Sequence, residues 1–84
     1  MKYLIEIRPR ALKDLKSIDA EQMQQIVERL SKLEDGLTGD VKRLTNFDIG
    51  YRLRIGNYRV LFDVEDMKVI VRRIKHRREA YKNT

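Results

Sequence analysis

Tyr51-Arg52-Leu53-Arg54-Ile55-Gly56-Asn57-Tyr58-Arg59-Val60-Leu61-Phe62 is the stretch that decides the fold. On both sides of Gly56-Asn57, apolar or aromatic side chains alternate with arginines, the period of a strand that buries one face. Gly56-Asn57 suits a two-residue type II′ turn, whose first position has φ above zero and so favours glycine. Closing the hairpin there sets Ile55 opposite Tyr58, Leu53 opposite Val60 and Tyr51 opposite Phe62, one continuous apolar face. The same register sets Arg54 opposite Arg59 and Arg52 opposite Leu61 on the other face, because directly paired residues share a side.

Working outward, Val69 to Ile74 reads as a third consecutive strand, completing an antiparallel meander. A two-residue turn at Glu65-Asp66 would bring Arg72 opposite Arg59 and Asp63 opposite Lys68; a three-residue turn including Met67 would flip that alternation. The mixed pattern of Val69, Ile70, Val71 and Ile74 leaves both open. Upstream, Tyr3, Ile5 and Ile7 alternate with Leu4 and Glu6 in a short strand closed by Pro9, which opens a short helix. Asp19 and Gln22 resemble a capping box, Ile18 and Met23 occupy staple positions, and Met23, Ile26, Val27, Leu30 and Leu33 recur at helical spacing until Gly36. Residues 35 to 48, with two glycines, Thr38, Asp40, Thr45, Asn46 and Asp48, read as a connecting loop pinned by Val41, Leu44 and Phe47. The expected architecture is therefore α+β in the order βααβββ. A mostly antiparallel four-stranded sheet would carry two N-terminal helices on one face, in a single domain spanning residues 1–84.

Composition narrows the function. With 84 residues the core is small, so stability should be modest and a bound partner could matter for it. The absence of cysteine excludes a disulfide framework, a thiol nucleophile and thiolate metal sites, and one histidine makes a histidine-based metal site equally unpromising. No metal or other cofactor is expected. Tyr3-Leu4-Ile5 is too short for a signal-peptide core and no later run approaches membrane-spanning length, so a cytoplasmic protein is expected. The net charge of +6 belongs entirely to the second half. Residues 1–48 carry nine basic and nine acidic side chains, residues 49–84 ten basic and four acidic. That asymmetry points to a polyanionic partner.

The arginine face is the candidate site. Like charges directly across a strand pair are unfavourable, so an acid or threonine at one of these positions would serve stability better. Guanidinium remains charged at physiological pH, presents a fork of donors that matches phosphate oxygens, and stacks on bases. Several such groups around a phosphodiester would stabilise the charge that develops during attack. The plainer reading, a solvated face whose arginine stems cover apolar surface, suits one strand arginine better than this cluster. Beyond the last strand follow Lys75, His76, Arg77, Arg78 and Tyr81, which add cations, the single histidine and a late tyrosine. Glu21, Glu28, Glu34 and Asp35 read as a solvated helix face.

The hairpin stretch together with Ile74-Lys75-His76-Arg77-Arg78-Glu79-Ala80-Tyr81 closely resembles the RelE branch of the RelE/ParE toxin superfamily, over essentially the whole chain. The resemblance implies a metal-independent endoribonuclease that enters the ribosomal A site and cuts messenger RNA by attack of a ribose 2′-hydroxyl on the adjacent phosphate. It also implies a cognate RelB-like antitoxin with acidic and apolar segments that fold on binding. Arg52 and Arg54 match the family's basic pair, Arg59 the arginine of its Gly-x-Tyr-Arg motif, and Tyr81 its terminal catalytic tyrosine. For the basic residue before that tyrosine, spacing points to Lys75 and the local His-Arg pattern to Arg77. The best-known member has lysines in the strand pair, one of them thought to act as a base. Arg54, whose guanidinium stays protonated throughout the physiological range, is a poor base and would be confined to charge stabilisation. The implied assignment is Arg59 and Arg54 on the scissile phosphate, Arg52 positioning RNA with Arg72, Lys75 and Arg78 beside it, and Tyr81 or His76, near Arg77, handling the proton.

Two other readings compete. A ParE-like inhibitor of DNA gyrase would share the fold without needing tyrosine, histidine and arginine together. A non-catalytic RNA-binding module would stack bases on Tyr51 or Tyr58, although the hairpin turns those rings toward the core.

Overall fold

In the computed structural model, residues 2–37, 39–45 and 48–79 are described. Phe47, expected to pin the loop, and Tyr81 lie outside them. The chain runs β1 (Leu4–Ile7), α1 (Pro9–Lys16), α2 (Ala20–Lys32), a 3-10 turn (Leu33–Asp35), β2 (Val41–Arg43), β3 (Tyr51–Ile55), β4 (Tyr58–Glu65) and β5 (Lys68–His76). Pro9 sits in the first turn of α1, where a missing N–H costs nothing. Asp19 caps α2 by accepting from the Gln22 N–H at 3.0 Å, and Ile18 and Met23 both pack on the core as a hydrophobic staple does. From α2, Ile26 and Leu30 are buried, whereas Val27 is exposed and lies off the packing stripe.

The sheet has five strands, in the order β1-β5-β4-β3-β2. Four were expected. The extra one is β2, in a segment read as loop; it pairs antiparallel with β3, Val41 with Leu53 and Lys42 with Arg52. Three residues are too few to display an alternation, and only Val41 packs on the core. The β3–β4 hairpin has the expected register, with Leu53 across from Val60 and Arg54 across from Arg59. Gly56 takes φ +55° at the turn.

The β4–β5 connection corrects both expectations. Its two-residue turn is Asp66-Met67, each with positive φ, as in a type I′ turn. Glu65 therefore pairs with Lys68, and Asp63 with Ile70. A β-bulge between Leu61 and Phe62 then takes up Arg72, so Phe62 pairs with Val71 while Leu61 pairs with Arg73. Arg59 faces Lys75, not Arg72. The bulge also explains why Val69, Val71 and Ile74 are all buried although Val71 and Ile74 are three residues apart. β1 closes the other edge parallel to β5, but only along Lys68–Val71.

Both helices cover one face. Ala11, Leu15, Ile26, Leu30 and Leu33 meet Leu53, Val60, Phe62, Val69, Val71 and Ile74 in a single core. Tyr51 stacks on Phe62 with centroids 5.4 Å apart. Asp14 holds α1 to β5 beyond the end of β1. Its carboxylate accepts from Arg73 Nε at 2.7 Å, from Arg73 Nη2 at 3.1 Å and from the Ile74 N–H at 3.0 Å. Among the described residues no helix is long and apolar enough to cross a membrane.

Candidate functional site

Strand registers place the cations of the uncovered face in two rows across the sheet. One runs Arg54 on β3, Arg59 on β4 and Lys75 on β5. With neighbouring strands about 4.8 Å apart, the three side chains are rooted within roughly 10 Å. The second runs Lys42, Arg52, Leu61 and Arg73. Leu61 is buried despite lying on this face, between arginine stems that shield it as long basic side chains do. Arg73 turns its guanidinium to Asp14, and the Asp14 hydrogen bond raises its pKa further, against the lowering effect of burial.

Each arginine has a distinct setting. Arg59 Nη1 donates to the carbonyls of Gly56 and Tyr58, both at 3.0 Å, which folds the guanidinium over the hairpin turn. Arg54 is exposed and reaches Asp40 Oδ2 with Nε at 3.7 Å. The Arg52 side chain is only 11% exposed; its Nη1 lies 3.5 Å from Asp40 Oδ1, and its Nε donates to no protein acceptor among the described residues. A nearly buried, half-satisfied guanidinium is costly for stability.

Other singled-out residues fall elsewhere. Arg72 donates from Nε to Asp63 Oδ2 at 2.9 Å, and Asp63 Oδ1 accepts from the Gly50 N–H at 2.7 Å. Arg72 is thus tied into a sheet-surface link. His76 pairs with Tyr58 and meets its ring edge-on at 5.6 Å, on the helix-bearing face. It lines a groove of about 460 Å³ between α1 and the end of β5 with Arg10, Asp14 and Tyr58. His76 Nδ1 accepts from the Arg78 N–H at 3.3 Å. Arg77 leaves the strand with its N–H bonded to the Asn57 carbonyl at 2.7 Å, so it stands beside the hairpin tip. Lys42 and Asp40 belong to the site but were hidden in the segment read as loop. Among the described residues no three His, Cys, Asp or Glu side chains gather as a metal ion would need.

The family model for the ParE toxin of the type II toxin–antitoxin system parDE matches residues 5–81. A protein named as toxin RelE1 from Methanocaldococcus jannaschii is 38% identical over 89 aligned positions, covering 99% of each chain. Toxin RelE3 of the same organism is 32% identical over 83% of this chain and 85% of its own. Among solved structures, the archaeal RelE–RelB complex from Pyrococcus horikoshii OT3 is similar with a TM-score of 0.78 and 28% identity, covering 95% of this chain and 100% of that one. The free-state mutant of Escherichia coli RelE shares the fold, with a TM-score of 0.77 at 19% identity, over 95% of this chain and 88% of that one. The chain belongs to the RelE/ParE toxin superfamily, and its curated relatives place it on the RelE side.

Proposed function

We propose that this protein is the toxin of a RelBE-type pair, a ribosome-dependent endoribonuclease that cleaves messenger RNA in the A site and is held by a RelB-like antitoxin in the cytoplasm. The row Arg54–Arg59–Lys75 on the uncovered face carries the reading. In the reaction the 2′-oxygen attacks phosphorus and the bond to the 5′-oxygen breaks, leaving a cyclic phosphate and a 5′-hydroxyl. Charge grows on the phosphate oxygens, and donors already aimed at them supply a large share of the rate enhancement. Arg59, Arg54 and Lys75 take that part, with Arg52 and Lys42 holding the flanking backbone.

Arginines do not pass protons at neutral pH. A proton must leave the 2′-hydroxyl and another must reach the 5′-oxygen. Tyr81 takes this step in preference to His76, because His76 shares the helix-bearing face with Tyr58. Of the two basic candidates before the tyrosine, Lys75 is preferred for its place across from Arg59. Arg77 and Arg78 extend the cationic border. For the antitoxin, the support is that the Pyrococcus horikoshii relative was solved as a RelE–RelB complex.

The matching family model carries the ParE name, so gyrase inhibition is the second reading. Purified toxin added to a coupled transcription–translation extract separates the two. Cut message with unaffected supercoiling supports the ribonuclease; intact message with blocked supercoiling supports the gyrase inhibitor.

A further inference from the structure

The row Arg54–Arg59–Lys75 ends on an acid. Asp40 lies one step before β2, opposite Arg54, whose N–H donates to the Asp40 carbonyl at 3.0 Å. The preceding residue, Gly39, has φ +89°, and a Cβ there would run into the Arg29 guanidinium from α2. The φ of Gly39, which side-chain-bearing residues rarely adopt, leads the chain into Asp40 beside the arginines. The carboxylate reaches both, Oδ1 to Arg52 Nη1 at 3.5 Å and Oδ2 to Arg54 Nε at 3.7 Å. These are long contacts from a side chain that is 51% exposed. The Arg54–Asp40 pair, exposed on both sides, is of the kind that is weak and readily exchanged. Arg52 Nε meanwhile lacks a protein acceptor among the described residues, so the contacts from Asp40 leave this guanidinium under-satisfied.

We infer that Asp40 is the resident counter-ion of the Arg52–Arg54 pair, which a phosphodiester of single-stranded RNA displaces on binding. This rests on the proposed RNA-cleaving role of the face. In the free protein Asp40 offsets the repulsion among Lys42, Arg52, Arg54 and Arg59 and keeps the guanidinium groups oriented. On binding it competes with the incoming phosphate, so it is a positioning residue that trades RNA affinity for a settled free state. A neutral asparagine keeps the shape and the carbonyl contact but ends the competition.

The test is fluorescence anisotropy with a labelled, fully 2′-O-methylated RNA oligonucleotide, which cannot be cut, titrated over a range of salt concentrations. The proteins are wild type, Asp40→Asn, Arg59→Ala and Glu21→Gln, the last adding the same net charge at a remote exposed site in the first turn of α2. Asp40→Asn is expected to bind about three- to ten-fold tighter than wild type, with Glu21→Gln close to wild type. Its plot of log affinity against log salt should steepen by roughly 0.7, one more phosphate being neutralised without a protein anion to displace. Circular dichroism of each variant verifies that it is folded, and Asp40→Ala, expected to gain as well, is the second variant should asparagine unfold the chain. Equal or weaker binding by folded Asp40→Asn, with binding still lost in Arg59→Ala, overturns the inference and leaves the RNA face intact. Wild type binding no better than Arg59→Ala, with no gain at position 40, overturns the RNA reading as well.

Discussion

Arg54 and Arg59 stand directly opposite each other across the β3–β4 hairpin, a like-charge pairing that sheet energetics disfavours. Like charges so placed oppose folding by about 0.2–1 kcal/mol. Arg59 offsets part of this with two carbonyl contacts, whereas Arg54 has only a long approach to Asp40. Arg54→Thr should therefore raise the unfolding free energy measured in urea by up to about 1 kcal/mol while removing RNA cleavage. A variant less stable than wild type would contradict the account of this pair.

Lys75 and Arg72 separate a member of the cationic row from a bystander. Lys75→Ala should slow cleavage by on the order of 100-fold, the usual cost of losing one preorganised charge-stabilising donor. Arg72 spends its Nε–H on Asp63, so Arg72→Ala should lower the cleavage rate by no more than about three-fold and stability by less than about 1 kcal/mol. Single-turnover cleavage beside urea unfolding checks both, and the reverse ranking would remove Lys75 from the site.

His76→Gln should leave the cleavage rate within about three-fold of wild type and the pH profile unchanged, since general acid–base groups normally contribute 100-fold or more. The comparison to run is kcat against pH for both proteins. A neutral-range limb present in wild type and missing in the variant would return His76 to the chemistry.

Asp14→Ala should destabilise the fold by about 2–3 kcal/mol, because it strands a partly buried guanidinium and the Ile74 N–H together. The pKa of Arg73 is raised above the ordinary arginine value, first by its hydrogen bond to Asp14. A raised folded pKa stabilises fully below the unfolded value and is lost only as pH climbs through the folded one. The contribution of Arg73 should thus stay constant across the neutral range and fade only in strong alkali. Thermal unfolding at several pH values measures it; a loss of the Arg73 contribution near neutrality would contradict the pairing.

Local periodicity made the hairpin, both helices and the α2 cap legible from the amino acids, because Gly56-Asn57 fixes a register and Asp19 a helix start. Three features escaped. β2 is too short to show a period, which hid Lys42 and Asp40. Met67 takes a left-handed conformation that favours glycine or asparagine, so composition does not mark the Asp66-Met67 turn. The bulge at Arg72 shifts alternation within β5, so the face of every residue beyond it, Lys75 and His76 included, follows from tertiary pairing and not from counting along the strand.

Primer-extension mapping of a defined message on programmed ribosomes, with wild type, Arg59→Ala and naked RNA in parallel, tests the central claim most directly. The account predicts discrete cuts within the A-site codon that vanish with Arg59→Ala and do not occur on naked RNA. Intact message in the presence of folded wild-type protein, or equal cutting by Arg59→Ala, would contradict it.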